Sequence, residues 1–170
     1  MRTKNVHKAK EIAKKVHSNQ TDKKGYPYMA HILDVASRVS SLGENFEIVG
    51  LLHDAIEDAK TDDFKTDIVN EIKKEFSIEI LEAIVSMSKK EGEDYFQDYL
   101  PRLKKNKIAV QVKIADSSHN LSKAHLIENF ELQNKLRTKY IRVLDELGVN
   151  GKALEKPLVF KNGKWLECKE

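Results

Sequence analysis

Apolar residues recur along most of this chain at spacings of three and four. Ile12 is followed by Val16, then come Ile32, Val35, Ala36 and Val39, then Ile48, Leu51, Leu52 and Ala55. This is the period of helices that bury one stripe. It predicts helices near 4–19, 29–42, 45–58, 65–75, 77–88, 93–105, 107–122 and 129–147. The breaks have local causes: Gly25 and Pro27 in KKGYPY, Gly43, the polar run AKTDD, Gly92, and the pair Gly148 and Gly151.

The pattern changes at the end. LVFKNGKWLE sets apolar and aromatic residues on both sides of Asn162-Gly163, a dipeptide favoured in two-residue hairpin turns. A lone hairpin is marginal in water, so this one is expected to pack on the helical body or pair with another chain through Phe160 and Trp165. The fold class expected is all-α, a bundle of about seven to eight helices with a small C-terminal β-hairpin. The expected units are a helical domain over 1–152 and a hairpin tail over 153–170 packed on it.

Composition narrows the class. At 170 residues with 40% apolar content, the chain can build a single core. Apolar runs such as IVGLL fall far short of the ~20 residues needed to cross a bilayer, so no membrane association is expected. The start, MRTKNVHKAKEIAKK, has no continuous hydrophobic block and does not resemble a secretory signal. Cys168 is the only cysteine, which excludes an internal disulfide and points to a reducing cytoplasm. Thirty Lys and Arg against 27 Asp and Glu give a net charge of only +3, too slight a surplus to argue for a nucleic-acid polymer. Homo-oligomerisation stays open.

The chemistry concentrates in LLHDAIED, residues 51–58. On a helix, His53 and Glu57 lie four apart, as do Asp54 and Asp58. Burying uncompensated carboxylates costs several kcal/mol each, so either the acids face solvent at a helix end or a cation sits among them. PYMAHILDVA adds His31, and VKIADSSHNL adds Asp116 with Asn120 one turn later. Imidazoles mixed with carboxylates suit a first-row divalent metal better than an all-oxygen magnesium or calcium site. His31, His53, Asp54 and Asp116 form a plausible set of ligands.

The ordered pattern H…HD…D, with ED three residues after HD and Asn four after the last Asp, resembles the HD-domain phosphohydrolases. Within them it is most similar to the hydrolase domain of RelA/SpoT proteins and to the small alarmone hydrolases, over roughly residues 17–125. The resemblance implies a divalent metal, Mn2+ first, held by His31, His53, Asp54 and Asp116, with Glu57 and Asp58 orienting and deprotonating the attacking water. It implies removal of the 3′-pyrophosphate from (p)ppGpp to give GDP or GTP. No counterpart of the family's synthetase segment is found, so degradation alone is expected. Asn120 matches a residue near the nucleotide sugar, and Tyr140 one near the substrate, although Leu136 and Leu144 beside it fit core packing equally well.

The chain departs from the family's pattern ahead of its YPY. QTDKKGYPY offers Lys23 and Lys24 but no arginine to stack on a guanine base. Lys24 and Lys113 are the expected phosphate contacts. His7, His17, His119 and His125 have the character of ordinary structural histidines. Two other functions fit the same residues: an HD phosphohydrolase of another nucleotide, and a non-catalytic nucleotide sensor.

Overall fold

A computed structural model describes residues 3–168; Met1, Arg2, Lys169 and Glu170, and with them the outer ends of the two expected units, lie outside the described residues. Eight α-helices and one two-stranded antiparallel sheet follow in order among the described residues. The helices are α1 (Lys4–His17), α2 (Tyr28–Val39), α3 (Glu44–Leu52), α4 (Asp62–Glu75), α5 (Ile78–Met87), α6 (Leu100–Leu103), α7 (Lys107–Lys123) and α8 (Phe130–Glu146); the strands are β1 (Leu158–Lys161) and β2 (Lys164–Glu167).

The helical period does what it predicts. In α1 the buried positions include Ile12, Ala13 and Val16, and in α2 they include Ile32, Val35, Ala36 and Val39, so each helix turns one stripe to a common core. Starts are marked by side chains: Thr3, Thr61, Asn106 and Asn129 each accept a hydrogen bond from a backbone N–H of the first turn.

One close approach shapes the site. A Cβ placed on Gly50 would lie 2.8 Å from the Ala36 Cα, so only glycine lets α3 come this near to α2. That contact brings the His31 and His53 rings to 5.4 Å, centroid to centroid.

Helix α7 packs against α2, α3, α5 and α8. Its buried residues include Asp116, Ser117, Ser118, His119, Ser122 and Lys123. So many buried polar groups on a central helix signal a site rather than a plain core.

Two expected helices are corrected. Helix α3 ends at Leu52 rather than running to residue 58, and the chain continues in tight turns. The cause is local. His53 Nδ1 donates to the Gly50 carbonyl at 2.8 Å, and the Ala55 N–H bonds the Leu52 carbonyl at 3.0 Å, three residues back. The expected helix over 93–105 is a π-helical turn, Tyr95–Tyr99, leading into the short α6. Asp94 caps it by accepting from the Phe96 and Gln97 N–H groups.

The hairpin forms as expected. Asn162 and Gly163 both take positive φ, 53° and 74°, and the register pairs Phe160 with Trp165. The strands lie against α2 and α7. Trp165 is buried, with Tyr26 at 4.9 Å and His119 at 5.6 Å between ring centroids.

Candidate metal centre and active site

His31 comes from the first turn of α2, His53 and Asp54 from the turn after α3, and Asp116 from the middle of α7. One donor atom from each of His31, His53 and Asp54 lies within 4.8 Å of the others. Asp116 completes the group: its Oδ1 is 3.3 Å from His31 Nε2 and 3.9 Å from His53 Nε2. The expected ligands therefore converge.

The donor set fits a cation. Because His53 spends its Nδ1 proton on the Gly50 carbonyl, the neutral ring presents a bare lone pair at Nε2. That lone pair faces Asp54 Oδ2 at 3.0 Å. Both His53 Nε2 and His31 Nε2 are buried with no hydrogen-bond partner. Acceptors facing one another in a buried site demand positive charge between them. Burial opposes a proton on His53, yet the Asp54 and Asp116 carboxylates outweigh it and raise its pKa to about 9. Burial likewise opposes ionisation of Asp116, while Lys113 and the two imidazoles hold it well below the usual carboxylate range. A divalent ion meets the same demand with more donors.

Partners outside the four orient them. Tyr28 donates its hydroxyl to Asp54 Oδ2 at 2.7 Å. Lys113 Nζ lies 2.9 Å from Asp116 Oδ2, and Asn120 Nδ2 donates to Asp116 Oδ1 at 2.7 Å. The two expected substrate contacts Asn120 and Lys113 thus both grip the α7 carboxylate. Asn120 also lines the cavity beside the centre.

Glu57 and Asp58 project from the turn after α3. Glu57 Oε2 accepts from the Lys89 N–H at 2.9 Å, and Asp58 Oδ2 accepts from Gln20 Nε2 at 2.8 Å. Burial raises the pKa of both, with Asp54 adding to it in each case. They are stronger bases than solvated carboxylates, which suits proton removal from water.

A cavity of about 320 Å3 opens from this edge of the centre, lined among others by Tyr28, Asp58, Asn120, Lys24, Lys123 and Tyr140. Lys24 and Tyr140 both border this ligand-sized space. The loop carrying Lys23 and Lys24 is fixed in advance: Asp22 Oδ1 accepts from the N–H groups of both Lys24 and Tyr26. A second cavity of about 440 Å3 shares Lys23, Lys24 and Ile127 with the first and is walled by Tyr26, Leu126 and Leu132.

Sequence reasoning missed Tyr28, Gln20, Lys123 and two histidines. His17, fully buried, lies 2.6 Å through Nδ1 from Gln20 Oε1, behind Asp58. His119, also fully buried, pairs with His31 at 2.8 Å between Nδ1 atoms, which sets it directly behind one of the expected ligands. The neighbours His119-Asn120 look alike in the sequence; only the packing of α2 on α7 separates their partners.

Among curated proteins the chain is 28% identical to the guanosine-3′,5′-bis(diphosphate) 3′-pyrophosphohydrolase of Borreliella burgdorferi, over 94% of this chain and 25% of that protein. It is 30% identical to a GTP pyrophosphokinase of Myxococcus xanthus, over 68% of this chain and 16% of that protein. The chain thus spans a quarter or less of these relatives. A solved structure, reported as "A metazoan ortholog of SpoT hydrolyzes ppGpp and plays a role in starvation responses", superimposes with a TM-score of 0.73 at 18% identity, covering 91% of this chain and 92% of that one, a likeness of fold. Residues 9–124, which hold the whole donor set, match the family described as HD domain, and the chain belongs to that family.

Proposed function

We propose that this protein is a divalent-metal phosphohydrolase that removes the 3′-pyrophosphate of guanosine 3′,5′-bis(diphosphate) or its triphosphate analogue. The observation that carries this reading is the layout of the cavity. Asp58 and Tyr28 bound it beside the metal centre, and Lys23, Lys24 and Lys123 line it as well. A nucleotide with phosphate groups on two sides of its sugar uses both features at once. The Borreliella burgdorferi relative, named for that reaction, supports the same substrate.

His31, His53, Asp54 and Asp116 would hold the metal, Mn2+ being the proposed ion. When bound, such an ion polarises a phosphoryl oxygen and acidifies water. The protein's own groups do the rest. Glu57 or Asp58 accepts a proton from the attacking water, whose oxygen bonds to the phosphorus next to the ribose. The bond from that phosphorus to the 3′-oxygen breaks, the 3′-oxygen takes up as a hydroxyl the equivalent of the proton that the carboxylate removed from water, and pyrophosphate carrying the water oxygen is released. Lys24 pairs with phosphate as a point charge. Tyr140 walls the cavity, and in this reading the base enters the adjoining recess of mixed polarity, where Tyr26, Leu126 and Leu132 supply apolar surface beside Lys23, Lys24 and Glu128. We place the protein in the cytoplasm. The helical unit ends at about residue 152, with the hairpin tail packed on it.

The test is release of pyrophosphate by the Mn2+-loaded protein across ppGpp, pppGpp, nucleoside monophosphates, triphosphates and cyclic dinucleotides, with Glu57→Gln as the blank. Pyrophosphate from ppGpp and pppGpp alone is the expected result. Turnover of other nucleotides instead would retain the HD chemistry and remove the alarmone assignment, in line with the absence of an arginine in QTDKKGYPY.

A further inference from the structure

We infer that Asp34, His119 and His31 form a polar relay, a charge contact followed by a hydrogen bond, in which His119 is a positioning residue: it fixes the tautomer of His31 and so tunes the affinity of the metal centre without touching metal or substrate. This rests on the reading that His31 binds a divalent ion, and not on the identity of the substrate.

The argument is one of proton counting. His31 Nδ1 and His119 Nδ1 lie 2.8 Å apart in a buried environment. Two bare lone pairs at that distance repel, and two N–H groups collide, so a single proton sits between the rings. There are two ways to place it. If His119 donates, its own Nε2 is left as a lone pair facing the Asp34 carboxylate, 3.5 Å away, and His31 must carry its proton on Nε2, pointed at the metal position. The His119 end is then repulsive, and the His31 proton, 3.3 Å from Asp116 Oδ1, occupies the place of a metal. If His31 donates, His119 Nε2 keeps a proton 3.5 Å from Asp34 Oδ2, within reach of charge–dipole attraction though not hydrogen-bonded, and His31 Nε2 is a free lone pair aimed at the centre. Attraction is then gained on both sides of His119, and the His31 lone pair facing Asp116 Oδ1 is left for a cation to satisfy.

Asp34 therefore selects the tautomer of His119, and His119 selects that of His31. Asp34 is itself held one turn along α2 by Arg38, whose Nε donates to Oδ2 at 2.5 Å. The His119 ring is locked on its other side by the edge of Trp165, at an interplanar angle of 82°. A carboxylate behind a ligating histidine is a recurrent way of orienting the ring and raising its basicity, and its loss costs about 10- to 100-fold in metal affinity. Here a second imidazole is interposed between the two.

The test measures metal affinity and tautomer state, not turnover. Mn2+ and Zn2+ dissociation constants are determined by chelator competition for the wild type, His119→Leu, His119→Asn and Asp34→Ala. Ring-nitrogen chemical shifts of the histidines are recorded in the metal-free protein. His119→Leu is expected to weaken binding by about 10- to 100-fold. His119→Asn, which keeps an acceptor at the Nδ1 position, should recover most of that loss, and Asp34→Ala should give a smaller loss with a shift of the His31 resonances. His31 protonated on Nε2 in the wild type, or unchanged affinity in His119→Leu and Asp34→Ala alike, would overturn the relay. If His119→Leu does not fold, the more exposed Asp34→Ala and the wild-type spectrum decide alone. A protein that shows the relay but leaves ppGpp intact removes the proposed substrate and keeps this inference; ppGpp turnover with affinity indifferent to both variants does the reverse.

Discussion

Asn120 donates from Nδ2 to Oδ1 of Asp116 at 2.7 Å, one turn along α7. That oxygen is also the one nearest His31 Nε2. The amide therefore decides which way the Asp116 carboxylate points, while Lys113 holds the other oxygen. Asn120→Ala should lower metal affinity by about tenfold. Substrate KM should rise as well, because the side chain also lines the cavity. Chelator titration beside steady-state kinetics separates the two; a change in KM at unaltered metal affinity would assign Asn120 to substrate alone.

Asp54→Ala removes the carboxylate that faces His53 Nε2 at 3.0 Å. At a free concentration one hundred times Kd, a bound ion adds about 2.7 kcal/mol to stability. Added Mn2+ should raise the wild-type Tm by several degrees and leave that of Asp54→Ala nearly fixed. Equal metal-induced shifts in calorimetry would take Asp54 out of the ligand set.

Glu57→Gln should retain metal and slow turnover by ~10²-fold or more if Glu57 is the base. The pH profile adds a signature. Burial raises the pKa of both Glu57 and Asp58, and a base works only when deprotonated, so the acid limb of kcat should lie above the ordinary carboxylate range. Removing the working base should shift or erase that limb. An intact limb in Glu57→Gln transfers the role to Asp58.

Lys123 is almost fully buried, with Nζ 3.6 Å from Asp22 Oδ2 and 5.1 Å from the centre of the Trp165 ring. Burial, helped by Lys24, brings its pKa down to about 8. The unfolded chain holds this proton up to its ordinary pKa of 10.5, whereas the folded protein releases it near 8. Stability from this group is thus lowest below pH 8 and rises between about 8 and 10, at up to about 1.4 kcal/mol per pH unit. Denaturant midpoints of the wild type and Lys123→Met across that range should differ by this rise. Parallel curves would mean that the lysine is not desolvated as its burial implies.

The sequence by itself determined most of the helices and the hairpin. A 3.6-residue period is a property of neighbouring side chains, as is the preference of Asn162-Gly163 for positive φ, so both are legible without a fold. The residue types of His31, His53, Asp54 and Asp116, imidazoles beside carboxylates, are equally legible without a fold, and the fold brings them together. Tertiary structure alone decided where α3 stops, because the His53 ring replaces a backbone donor at the Gly50 carbonyl. It also decided that Lys113 and Asn120 serve Asp116 and that Tyr28 serves Asp54. The pairing of His31 with His119 joins residues 88 apart in the chain. No local pattern encodes such a contact; it exists because α2 packs on α7 and the hairpin tryptophan lies against the His119 ring.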